Sequence, residues 1–400
     1  MRLAMKPERT SEGYPITAYA ACSALGMTSR EVLDALYAGH CGLGANALAL
    51  ELPFATALGA LPAALPHLPS HLAAYDTRLA RMAMLLVHEL GSALPDAVHR
   101  YGAQRVAIVM ASSTAGLETS EHAFAHSLRH GRLPETYSFA QAHSFGALIE
   151  VLRALSTARG PGYVVSTACS SGNKVFGCAE RLLAAGHADA VLVGGIDTLC
   201  QIAVRGFHSL GILSAAACRP FGLGRDGTSL GEGGALLLIE RRGPGRARLL
   251  GVGETCDAHH MTQPLPDGAG AIAAMSAALA QAGIQAADID HVNAHGTGTP
   301  LNDEAEAIAI EALLGCQVPV ASTKGFTGHM LGAGASIEAV FSIAAIERGQ
   351  LPQSLGASPL DPKLRIQINH GVRAARCRYV LSNAFAFGGS NAAVVFGAST

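Results

Sequence analysis

Tyr163-Val164-Val165-Ser166-Thr167-Ala168-Cys169-Ser170-Ser171-Gly172 carries the pattern from which the fold follows. Tyr163 to Thr167 is a short apolar, β-branched run, which reads as a buried strand. A helical pattern follows from Ser171 to Ala185, with Val175, Cys178, Ala179 and Leu182 near i, i+3, i+4, i+7 spacing. Gly186 ends it, as a glycine after a helix does. Ala190 to Val193 is the next buried strand, stopped by Gly194 and Gly195. Strand, helix, strand makes a βαβ unit and predicts a mainly parallel sheet covered by helices. Cys169 falls at the junction of strand and helix. Free N–H groups and the helix dipole there favour a thiolate, and the tight turn lifts the side chain out of the sheet.

The same style extends outward. Arg105 to Met110 is another buried strand. In the second half, Gly268 to Gly283 reads as a helix, Asp290 to Ala294 as a short strand, and Leu301 to Leu314 as a helix with Asp303 and Glu304 in its first turn. Val318 to Ala321 is a strand and Gly332 to Arg348 a helix. Arg378 to Ser382 and Ala392 to Phe396 are late strands. The Gly243-Pro244-Gly245 break divides the chain, giving residues 14–245 and 246–400 as two halves. Residues 39–75 read as a loop-rich insertion.

The chain has 400 residues, more than one core usually serves. Half of the residues are hydrophobic, enough for large buried sheets, and the net charge of −2 leaves no global basic footprint for nucleic acid. Arg100 with Arg105, and the run Arg241 to Arg248, read as solvated segments, with attraction of an acidic partner as the functional alternative. The opening Met1 to Thr10 is charged and lacks the apolar core of a secretory signal. No run is long enough to span a membrane. The nine cysteines include no CxxC pair, which argues against zinc or a disulfide framework. A cytoplasmic protein without a metal is the expectation.

Three further motifs carry chemistry. Asn293-Ala294-His295-Gly296-Thr297-Gly298-Thr299 puts a histidine at a strand end, glycines that permit close backbone approach, and hydroxyls for the amides of an extended substrate. Taken alone, His295 suits a structural loop as well as a catalytic one. In Ser322-Thr323-Lys324-Gly325-Phe326-Thr327-Gly328-His329, a neutral His329 can donate from Nε2 to a developing oxyanion. Lys324 and Glu338 could orient it and set its charge, or be solvated surface residues or an ion pair within the fold. Asn383-Ala384-Phe385-Ala386-Phe387-Gly388-Gly389-Ser390-Asn391 can turn backbone N–H groups towards a reacting carbonyl, or be an ordinary glycine turn. The run Gly231-Glu232-Gly233-Gly234 lacks the Lys-Ser/Thr of a nucleotide loop.

Together these motifs resemble the β-ketoacyl-carrier-protein synthases of the KAS I/II type, in the thiolase-like superfamily. The similarity runs from about Pro15 to Phe396 and includes Arg219-Pro220-Phe221, Arg225-Asp226-Gly227 and Asp257 to Thr262. The resemblance implies an α/β thiolase-like fold, two similar αβαβα halves in five layers. It implies Cys169 as nucleophile and His295 and His329 as its partners. Lys324 and Glu338 are the accompanying charged pair. The backbone N–H groups of Cys169 and Phe387 form an oxyanion hole, and Thr297 and Thr299 bind the phosphopantetheine arm. Phe387 is a gate, with Phe385 and Thr114 beside the acyl tunnel. No cofactor is implied beyond the pantetheine of an acyl carrier protein. The assembly implied is a homodimer, or a heterodimer with a related ketosynthase.

The reaction implied is a decarboxylative condensation of an acyl group on Cys169 with a malonyl thioester, in fatty-acid, type II polyketide or aryl-polyene-like synthesis. The stretch Met110 to Gly116 and the sequence AFAFGGS at Ala384–Ser390 depart from the family pattern and leave the acyl substrate open. A chain-length-factor-like partner subunit would have lost the nucleophile. A biosynthetic thiolase would carry a second cysteine where Phe387 and Gly388 stand. A KAS III-like enzyme would replace one histidine by asparagine.

Overall fold

The computed structural model describes residues 12–399; the Met1–Thr10 stretch considered as a signal lies outside them. Five strands of the first half belong to the main sheet: β1 (Tyr14–Cys22), β2 (Val106–Ala111), β3 (Gly162–Val165), β4 (Ala190–Asp197) and β5 (Gly233–Glu240). The second half supplies β6 (Ala247–Cys256), β7 (His291–Asn293), β8 (Pro319–Ala321), β9 (Tyr379–Ala386) and β10 (Ser390–Ala398). Spatial order is β1-β5-β4-β2-β3 in the first set and β6-β10-β9-β7-β8 in the second, the same topology twice. A short antiparallel pairing of Tyr14–Ile16 with Ala247–Leu249 joins β1 to β6, so the two sets form one continuous sheet. The two-residue strand Gln367–Ile368 extends the β8 edge.

The sheet is mixed, which corrects the expectation of a mainly parallel one. β2 pairs in parallel with β3 and β4, and β7 with β8 and β9. However, β5 is antiparallel to both β1 and β4, and β10 to both β6 and β9. A second correction concerns β4, which runs through Gly194 and Gly195 to Asp197. Those glycines are packing positions. A Cβ on Gly194 would lie 2.0 Å from the carbonyl oxygen of Ala235, and one on Gly195 2.8 Å from Cα of Ala333.

Seven helices position the site: α1 (Arg78–Glu89), α2 (Phe145–Ser156), α3 (Ser171–Ala184), α4 (Gln201–Ser209), α5 (Ala269–Ala282), α6 (Pro300–Leu314) and α7 (Gly334–Arg348). The period of two along each strand sorts residues to opposite faces. Ala107, Val109 and Ala111 of β2 share a core with Val175 and Phe176 of α3 and Val340 and Phe341 of α7. That core also takes Val394 and Phe396 of β10, so α3 and α7 lie between the two strand sets. Val106, Ile108 and Met110 face the other way, against α1 and α2. Residues of α5 and α6 cover the outer face of the second set. The result is the five-layered thiolase-like arrangement, helix, sheet, helix, sheet, helix.

Residues 39–75 are largely irregular, apart from Leu58–Gly59 and a 3₁₀ turn at Ser70–Tyr75. The arginine segments are ties within the fold. Arg100 pairs with Glu240, Arg105 and Arg241 with Asp189, and Arg246 with Glu347. Among the described residues no helix is long and apolar enough to cross a membrane, and no group of three or more His, Cys, Asp or Glu is arranged to hold a metal.

Candidate active site

Cys169 stands on a strained elbow between β3 and α3. Ala168 has φ 51°, a left-handed conformation that a side chain disfavours. Two serine hydroxyls hold the turn. Ser170 Oγ donates to the Thr167 carbonyl at 2.9 Å, and Ser171 Oγ donates to the Ala168 carbonyl at 2.6 Å. The Thr167 N–H donates to Ser171 Oγ at 2.8 Å. The elbow leaves Cys169 buried, and burial pushes its thiol up to about 11. The charge of Lys324 and the backbone N–H of Phe387 pull the other way. Burial therefore works against the thiolate that the helix start favours. The helix starts two residues after Cys169, and loss of solvent outweighs the attractions that favour the anion.

His295 follows β7. Its backbone N–H and that of Gly296 both donate to the Glu306 carboxylate of α6, at 2.8 and 2.7 Å. Burial raises Glu306 to about 7, against the lowering effect of these donors. His329 follows the short turn Lys324–Thr327 that comes after β8. Its N–H donates to the Ser229 carbonyl at 2.7 Å, and its own carbonyl accepts from the Gly231 N–H at 3.1 Å. A Cβ on Gly231 would sit 2.1 Å from the Thr327 carbonyl oxygen, so the glycine run noted in the sequence lets this strand pass the turn.

These anchors bring His329 Nε2 to 2.9 Å from Cys169 Sγ. The His295 and His329 rings have centroids 5.4 Å apart and planes at 85°. Both imidazoles are held well below the ordinary histidine range, by burial first and then by the Lys324 charge. They are neutral at physiological pH and able to donate hydrogen bonds. Lys324 Nζ donates to Glu338 Oε1 at 2.6 Å and to the His295 carbonyl at 2.5 Å. The lysine thus orients the His295 backbone, where the sequence reading had it orient His329.

A cavity of about 310 Å³ opens onto this centre and is lined by Cys169, His295, His329, Thr297, Thr299, Phe385 and Phe387. The two threonine hydroxyls lie 2.8 Å apart. The turn Phe387–Gly389 needs its glycines, at φ 79° and 71°. Thr114 does not line this cavity. It is buried, and its hydroxyl donates to Asp197 at 2.7 Å, because the Ser112–Thr114 loop after β2 is gathered around that carboxylate. Phe207 of α4 escaped the sequence reading. Its ring stacks on Phe387 at 5.8 Å and meets His329 edge-on at 6.3 Å. Glu306 escaped too, although an acid among Ala305, Ala307, Ala309 and Ile310 is a signal of a buried carboxylate with a task.

Repeated halves with a cysteine elbow on one and two histidine loops on the other define the thiolase-like class. Two family models match consecutive stretches: Beta-ketoacyl synthase, N-terminal domain, at residues 104–243, and Beta-ketoacyl synthase, C-terminal domain, at 246–358. Nodulation protein E of Rhizobium meliloti is 33% identical over 331 residues, covering 80% of this chain and 82% of that protein. The 3-oxoacyl-(acyl-carrier-protein) synthase 2 of Staphylococcus aureus is 38% identical over 256 residues, 60% of this chain and 64% of the relative, so this chain spans less than two thirds of that protein's length. The chain belongs to the β-ketoacyl synthase family. Among solved structures it is similar to a complex from Xenorhabdus doucetiae of the ketosynthase ApeO with its chain length factor ApeC. The TM-score is 0.90 and the identity 33%, over 99% of this chain and 100% of that one. A β-ketoacyl synthase from Burkholderia phymatum matches with TM-score 0.86 and 28% identity, over 97% and 100% of the two chains.

Proposed function

We propose that this protein catalyses decarboxylative condensation, joining an acyl group held on Cys169 to a malonyl unit carried by an acyl carrier protein. The observation that carries the reading is the placement of His329 Nε2 at 2.9 Å from Cys169 Sγ, with the His295 ring set across it. Family membership supports the same chemistry.

In the first step the sulfur attacks the incoming thioester carbonyl. The thiol proton leaves with the carrier's thiolate, which departs as a thiol. Nε2–H of His329 steadies the cysteine sulfur while it is anionic. The N–H groups of Cys169 and Phe387 receive the oxygen of the tetrahedral intermediate. In the second step the malonyl thioester occupies the cavity. Its carboxylate leaves as CO₂, and the enolate oxygen takes hydrogen bonds from neutral His295 and His329. The enolate carbon then attacks the acyl-cysteine carbonyl and expels the Cys169 thiolate, which regains a proton. Lys324 and Glu338 act behind this centre. Thr297 and Thr299 offer hydroxyls to the amides of the pantetheine arm, which brings both substrates in place of a resident cofactor. Phe387, with Phe385 beside it, gates the acyl side.

The partners proposed are an acyl carrier protein and a second chain of the same fold, on the example of the Xenorhabdus ketosynthase and its chain length factor. Incubation with an acyl-carrier protein and malonyl-carrier protein tests the reading. The expected product is a β-ketoacyl-carrier protein with release of CO₂. Free acyl-carrier protein with no extended product would contradict it.

A further inference from the structure

The turn that carries His329 is held on its N-terminal side by the strand at Leu230–Gly231. On its C-terminal side the chain passes through Leu331, at the strained φ of 47°, before α7 begins. A strained backbone persists where its surroundings over-determine it. Here the surroundings include Asp197, the last residue of β4, which is 1% exposed. Its Oδ2 accepts the Ala333 N–H at 2.9 Å, two residues beyond Leu331. Its Oδ1 accepts Ser112 Oγ at 2.9 Å, Ser113 N–H at 2.8 Å, Thr114 N–H at 2.7 Å and Thr114 Oγ1 at 2.7 Å. One carboxylate therefore ties a turn of the second half to a loop of the first. Gly332 sits inside this junction. A Cβ there would lie 2.8 Å from Ser113 Oγ and 3.2 Å from Asp197 Oδ2.

We propose that Asp197 is a positioning residue of the condensing centre: by locking the His329 turn to the Ser112–Thr114 loop, it sets the imidazole over the Cys169 sulfur. The inference rests on the condensing reading above. Burial raises the Asp197 carboxyl above its ordinary range, and the donors around it pull back towards the charged form. The residue also faces the nucleophile electrically. Its charge opposes ionisation of Cys169, while the Lys324 charge favours it. The burial that raises the thiol thus has an adjustable electrostatic part, set by one acid from β4 and one base from the turn after β8.

The test uses Asp197→Asn, whose amide nitrogen would meet the Ala333 N–H as a second donor. Introduced beside Cys169→Gln, it is expected to lower kcat for malonyl-carrier-protein decarboxylation at least about tenfold with KM little changed, the signature of a misplaced group rather than lost binding. With Cys169 intact, the pH profile of its alkylation by iodoacetamide is expected to move to lower pH, and Asp197→Glu to move it back. A purely structural weakening would speed alkylation at every pH without shifting the profile. Gly332→Ala keeps the carboxylate and crowds it, so decarboxylation should fall while the alkylation profile stays. Unchanged kcat and an unshifted profile in Asp197→Asn would overturn the proposal. Should that variant not fold, unchanged decarboxylation in Gly332→Ala would do so. Absence of decarboxylation in the Cys169→Gln parent would instead sink the condensing reading, and the alkylation profile, which needs no substrate, would still decide the role of Asp197.

Discussion

The two halves of the molecule use one strand order and opposite chemistry. After the second strand of the first half comes Ser112–Thr114; after the second strand of the other comes His295–Thr299. After the third strand of the first half comes the Cys169 elbow and α3; after the third strand of the other come His329 and α7. These loops meet at the carboxyl ends of parallel strands, where open α/β sheets place their ligands. The repeat fixes where groups can converge, while the residues decide what each convergence does. In the proposed reaction one half supplies the nucleophile and the other the neutral donors. The first half's remaining loop turns the Ser112 and Thr114 hydroxyls to Asp197 and lends support instead of chemistry.

The comparison breaks most completely if the first half's contribution is removed. Cys169→Ala is expected to abolish condensation, whereas Cys169→Gln should keep malonyl decarboxylation, since the histidines belong to the other half. Assays of condensed product and of CO₂ release on both variants check this; loss of both activities in Cys169→Gln would contradict the division of labour. Within the second half, Lys324 and Glu338 are a buried pair, with 2% and 3% of their side chains exposed. Lys324→Met leaves Glu338 buried without its partner and should cost about 3–5 kcal/mol of stability in urea unfolding. The double variant Lys324→Met, Glu338→Leu should recover much of that loss.

His329→Ala removes one oxyanion donor and should lower decarboxylation at least about 100-fold. An unchanged rate would take His329 out of the reaction. The smallest effect expected is the absence of one. Because both imidazoles stay neutral well below the usual range, decarboxylation by Cys169→Gln should not decline as the pH falls through about 6.5, the unperturbed histidine value. A depressed histidine pKa contributes fully above that value, and its contribution is lost as the pH falls and the unfolded chain takes up protons first. A decarboxylation profile with an acid limb centred near an ordinary histidine would show that one ring is more solvated than the structure has it.

The part of the fold legible in the sequence is the part whose strands are compact apolar runs. β2, β3 and β4, and β8 to β10, stand out for that reason, and β7, His291-Val292-Asn293, is marked by the glycine-rich turn that follows it. β1, β5 and β6 do not. Gly233–Glu240 opens on two glycines and is buried on both faces, so it shows no alternation. Ala247–Cys256 does alternate, but it emerges from the arginine-rich Arg241–Arg248 run, which reads as loop. Two of these strands, β1 and β5, pair antiparallel with each other, and β6 pairs antiparallel with both β1 and β10. Overlooking them is why the sheet read as parallel. In the site, Cys169, His295 and His329 were visible because a reactive residue beside glycines leaves a local pattern. Asp197 and Phe207 were not, since their partners lie far along the chain; Glu306, only eleven and ten residues from His295 and Gly296, stood unmarked by any glycine on an alanine-rich helix. Thr114 was misplaced for the same reason, its hydroxyl being claimed by Asp197, which is distant in sequence.

The central claim is that Cys169 carries the acyl group. Intact-protein and peptide mass spectrometry after incubation with a panel of acyl-carrier proteins tests it most directly. One acyl mass is expected per chain, on the peptide that contains Cys169, and none in Cys169→Ala. An acyl mass that persists in Cys169→Ala, or that sits on another residue, would contradict it.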